Sequence, residues 1–131
     1  MRIRVRGFLY KTSFEELKVV FSQFFDDPGL VSRVRVHGEE FKLYGSEFEF
    51  DCYSSLDGKW KDGTENYLLD IVFFKDEAIV LKQMDELGSV LEKSGVIYEF
   101  EFQRESEDGD EIGDEFSKKH PEYDRFMNEH Y

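Results

Sequence analysis

Four stretches of this chain alternate apolar and charged side chains with a period of two, a rhythm that calls for half-buried β-strands. In residues 2–8, Ile3 and Val5 face one way and Arg2, Arg4 and Arg6 the other. In residues 31–37, Val34 and Val36 oppose Arg33 and Arg35. Residues 41–52 read as one longer strand: Phe48, Phe50 and Cys52 share a face, Glu47, Glu49 and Asp51 share the other, and Gly45 marks a bulge or bend. In residues 96–102, Val96, Tyr98, Phe100 and Phe102 alternate with Ile97, Glu99 and Glu101. Residues 67–74 are nearly continuous in apolar side chains, which predicts a central, covered strand.

Other segments carry the helical period. Phe14, Leu17, Phe21, Phe24 and Phe25 fall at offsets of three and four behind Thr12-Ser13, and Ser13 and Glu16 have capping-box spacing. Asp26-Asp27-Pro28-Gly29 stops that helix. Asp76 is placed to cap a second helix, whose buried stripe is Val80, Met84, Leu87 and Leu91 and whose end is Ser94-Gly95. A short third helix is expected from Pro121, with Tyr123, Phe126, Met127 and His130 on one side. Residues 54–66, with Asp57-Gly58 and Asp62-Gly63 around Trp60, read as turns.

The order β-α-β-β-β-α-β plus a tail predicts an α+β sandwich with a mainly antiparallel sheet and two helices on one face. The nearest common plan is ferredoxin-like with one additional strand. Residues 1–104 form this single domain. Residues 105–131 are an acidic segment and a short C-terminal helix docked on the same domain.

Charge narrows the function. The chain has 131 residues, 17 bases and 30 acids, a formal net charge of −13. Residues 1–35 hold seven bases against four acids, so the remainder holds ten against 26. The densest run is residues 105–115, with seven acids (Glu105, Glu107, Asp108, Asp110, Glu111, Asp114 and Glu115) and no base. Such a field repels phosphate backbones and anionic lipid and draws in basic partners. Direct nucleic-acid binding is therefore disfavoured. Single-strand platforms also need outward aromatics, whereas Phe48 and Phe50 share the apolar phase. With a single cysteine, no long apolar run and no signal-like opening, the expected location is the cytoplasm, with no membrane association.

Catalytic chemistry finds no foothold. No nucleophile elbow, P-loop or dinucleotide turn occurs. His37, His120 and His130 lack ligand spacing, Cys52 has no cysteine partner, and a calcium loop started at Asp108 fails at Ile112 and Lys119. Neither metal nor cofactor is expected. Cys52 reads as a core residue, on the opposite face from His37.

These features point to a small acidic, non-enzymatic interaction domain. A strongly basic partner, such as a nuclease-like toxin neutralised by an inhibitor or immunity protein, is the fitting kind. The seven acids of residues 105–115 are the expected contact residues. Two other readings are a ligand pocket near Trp60, Tyr44 and the arginines of the first two strands, and a subunit that self-associates through its sheet.

Overall fold

A computed structural model describes residues 2–25, 29–35, 38–59 and 65–130. The elements in chain order are β1 (Arg2–Thr12), α1 (Phe14–Phe24), β2 (Gly29–Arg35), β3 (Gly38–Tyr44), β4 (Phe48–Lys59), β5 (Glu65–Phe73), α2 (Glu77–Lys93), β6 (Ile97–Glu105), β7 (Glu111–Lys119) and α3 (Tyr123–His130). The strands form one seven-stranded sheet in the order β2-β3-β4-β5-β1-β6-β7. Every neighbouring pair is antiparallel. The chain is thus α+β with an antiparallel sheet and three helices. Strand number and order depart from the five-stranded ferredoxin-like layout expected, because two hairpins stand where one strand and one tail were read.

The first hairpin divides residues 41–52. β3 and β4 pair Leu43 with Phe50 and Phe41 with Cys52 around Gly45. The reason is a change of phase. Buried Phe41 and Leu43 sit at odd positions, and Phe48, Phe50 and Cys52 at even ones, so no single regular strand keeps them all on one face. Gly45 is required at the reversal, because a Cβ there would run into the Phe48 ring. β4 then continues through Asp57-Gly58 to Lys59, so the turn read over residues 54–66 is shorter, and Trp60 lies outside the described residues.

The second hairpin recruits the acidic run. β6 extends to Glu105, so the expected boundary after residue 104 falls inside a strand. Residues 106–110 make a tight reversal. Ser106 N–H donates to the Asp110 carbonyl (2.8 Å), Asp110 N–H donates to Ser106 Oγ (3.1 Å), and Gly109 takes φ +88°. β7 follows, paired to β6.

Helices α1 and α2 cover one face. Leu17, Phe21, Val80, Met84, Leu87 and Leu91 join Ile3, Val5, Leu9, Phe50, Ile71 and Phe100 in a single core. Phe21 meets Phe50 with ring centres 4.9 Å apart, and Tyr98 stacks on Phe100 at 4.6 Å. Ser13 caps α1 by accepting from Glu16 N–H at 3.2 Å, while the Glu16 carboxylate accepts from the Thr12 hydroxyl (3.3 Å), which leaves the capping box half formed. Asp76 occupies the cap position of α2 without a side-chain cap bond; its carbonyl accepts from Ile79 and Val80 N–H, both at 3.1 Å. α3 lies on the opposite face. There Phe126 packs with Tyr10 and Ile97, beside Phe8, Tyr123 and Met127. Its first turn is held by His120, whose Nδ1 accepts from Glu122 N–H at 2.9 Å. No helix among the described residues is long and apolar enough to cross a membrane.

Candidate functional site

Beyond α3, the uncovered sheet face is charged, as the alternation requires. One row stands in register across six strands: Lys42, Asp51, Asp70, Arg6, Glu101 and Ser117. Arg4 donates from Nε to Glu105 (2.9 Å) and from Nη1 to Asp70 (3.0 Å). Arg2 donates from Nε to the other Glu105 oxygen, also at 2.9 Å. The side chains of Arg33 and Arg35 lie outside those described.

These contacts separate the seven predicted acids into two groups. Glu105 is 3% exposed, and its carboxylate is engaged by both arginines. It anchors the hairpin and is not available to a partner, which corrects its expected role. Sequence position alone grouped it with the run. Yet it continues the open-face phase of Ile97, Glu99, Glu101 and Gln103, directly opposite Arg2. Glu107, Asp108, Asp110, Glu111, Asp114 and Glu115 are all exposed on the turn and on β7. Among the described residues, none of these six makes an ion pair.

The bases of the same hairpin are engaged internally. Lys118 Nζ is 2.9 Å from Asp85 on α2, and Lys119 Nζ is 3.3 Å from Asp124 and lies over the Tyr123 ring. Arg104 is paired with Glu77 and sits over the Phe116 ring at 5.2 Å. β7 therefore presents free acids and occupied bases. Carboxylate crowding reaches onto β6: burial first, then Glu115 and Glu99, hold the Glu101 carboxyl above the usual range, with Arg6 opposing.

Beneath β7, on its helix side, lies a groove of about 310 Å³ lined by Leu81, Asp85, Phe102, Phe116, Ser117 and Lys118. Phe102 and Phe116 stack at its base with centroids 5.0 Å apart. Little in the residue pattern points to this groove, because Ile112 and Phe116 are the only large apolar residues of β7 and lie four apart.

The other expected sites fare differently. Tyr44 is 51% exposed on β3, but Trp60 lies outside the described residues, as does His37. Cys52 is fully buried, and burial first, then Asp51, hold its thiol well above the ordinary value. Among the described residues, no three histidine, cysteine or acidic side chains come together to hold a metal. Comparison with known families, with curated proteins and with solved structures finds no match.

Proposed function

We propose that this chain is a small acidic interaction domain that binds a basic protein along the β6–β7 hairpin. The observation that carries the reading is the asymmetry of that hairpin. Six exposed carboxylates have no ion-pair partner among the described residues, while Arg104, Lys118 and Lys119 are each held by an acid of the same chain. Exposed acids with no ion pair among the described residues also occur elsewhere, at Glu49, Asp76 and Glu86, but the hairpin gathers six of them within nine residues. Charge of one sign concentrated this way speeds encounter with a basic surface and fixes its orientation. Occlusion of a cationic groove, as by an inhibitor or immunity protein acting on a nuclease-like partner, is the action such a surface suits.

The test is capture of basic proteins from native lysate, followed by affinity measurement with the captured partner. Raising salt from about 0.05 M to about 0.5 M shortens the screening length roughly threefold and should weaken binding by at least about tenfold. An affinity unchanged by salt would overturn the reading. Deleting residues 105–115 is unsuitable as a control, because it removes Glu105 and the start of β7 together.

A further inference from the structure

We propose that β7 is the docking edge for an extended basic segment, which adds to the sheet as an eighth strand and sets apolar side chains into the groove against α2. This rests on the acidic-hairpin reading and specifies the form of the partner. β7 is the last strand of the sheet and is nine residues long, with seven residues exposed and only Phe116 and Lys118 half-buried. A register shift against β6 interrupts the strand over residues 113–115, so residues 116–119 are the regular part of the edge that offers backbone donors and acceptors to an incoming strand.

The two faces beside this edge differ, and together they define the occupant. An added strand lies about 4.8 Å from β7 and points alternate side chains to opposite faces. On the helix side it meets the groove floored by Leu81, Phe102 and Phe116. On the open side it meets Glu111, Glu115, Ser117 and Lys119 of β7, the last already held by Asp124, with Glu101 one strand further in. Alternating apolar and basic residues satisfy both faces at once.

A second copy paired β7 to β7 is the obvious rival, and charge decides against it. Each copy carries −13, and β7 could offer only Lys118 and Lys119 to its twin, both already held by Asp85 and Asp124. The opposite edge strand, β2, carries Arg33 and Arg35 and no acid, so pairing of β2 with β7 of a second copy is the outcome that light scattering has to exclude. A foreign cationic segment brings the charge that the hairpin lacks.

The probe is an eight-residue peptide alternating lysine and valine, titrated into the full chain at low salt. Two further versions carry backbone N-methyl groups on alternate residues, so that each blocks one edge of the peptide. The expected result is binding of the parent peptide, at least a tenfold loss with one methylated version, near-parent affinity with the other, and slowed amide exchange in residues 111–119. Equal binding of all three peptides, weakened alike by salt, would overturn strand addition while leaving the acidic-hairpin reading intact. No binding of any peptide, with concentration-dependent growth in mass by light scattering, would overturn both in favour of self-assembly. No binding of any peptide and no self-association would overturn strand addition, while salt-sensitive binding of a folded basic protein would still uphold the acidic hairpin.

Discussion

Replacing Glu105 with alanine should remove about 2–3 kcal/mol of folding stability, although sequence alone places this residue in an acidic tail. The magnitude follows from its surroundings. The carboxylate is 3% exposed and accepts two guanidinium hydrogen bonds of 2.9 Å, from Arg2 and Arg4. Removing one partner of a fully buried ion pair costs about 3–5 kcal/mol. Here the loss is smaller, because both arginine side chains are 23% exposed and Arg4 keeps Asp70. At roughly 3–5 °C per kcal/mol for a chain of this size, the melting temperature should fall by about 6–15 °C. Urea denaturation followed by far-UV circular dichroism gives the free energy directly. Glu107→Ala, which removes the same charge from the exposed turn, should change stability by less than about 0.5 kcal/mol. A double-mutant cycle with Arg2→Ala should show coupling of about 1 kcal/mol or more. If Glu105→Ala and Glu107→Ala prove equally mild, Glu105 is not an anchor and β6 does not end as described.

Three further outcomes test the fold. Gly88→Ala should destabilise by about 1–3 kcal/mol despite its better helix propensity, since the new methyl would lie 2.7 Å from the Tyr98 hydroxyl oxygen; a stabilised variant by urea titration would contradict the fit of α2 on β6. Burial, then Glu92 and Asp85, push the Tyr98 hydroxyl up to about 12. Its neutral form is favoured in the folded state, so its contribution to stability is complete below about pH 10 and is lost as pH rises toward 12. Ultraviolet titration should show a late-ionising tyrosine that is lost in Tyr98→Phe, and an unchanged late phase in that variant would refute this. Cys52 should resist a thiol reagent at pH 8 in the folded protein and react at once in denaturant; rapid reaction under native conditions would place it outside the core.

Elements whose faces differ in hydropathy were legible from sequence. β1, α1, α2 and most of β6 follow from the spacing of Ile3 and Val5, of Leu17 and Phe21, of Val80, Met84, Leu87 and Leu91, and of Tyr98, Phe100 and Phe102. The β3–β4 reversal is present as a shift of parity between Leu43 and Phe48, which a bend at Gly45 within one strand also accommodates. β7 left almost no signal. An edge strand buries little, and a register shift interrupts its pairing between Phe102 and Arg104 of β6, so its period of two is broken. The acid density of residues 105–115 then outweighed the turn signal of Asp108-Gly109. Of the candidate site, the six exposed carboxylates were legible as charge. Glu105 was not, because its role depends on Arg2 and Arg4, about a hundred residues away along the chain.

The most direct test of the acidic hairpin compares two variants with the same change in net charge. One replaces Glu107, Asp108, Asp110, Glu111, Asp114 and Glu115 by their amides; the other does so at exposed Glu15, Glu39, Glu49, Glu86, Glu122 and Glu129. Affinity for the captured basic partner is measured for both at low salt. The hairpin variant should lose about a hundredfold or more, and the dispersed variant less than about tenfold. Equal losses would show that the charge acts only as a diffuse field and that the hairpin is not a site.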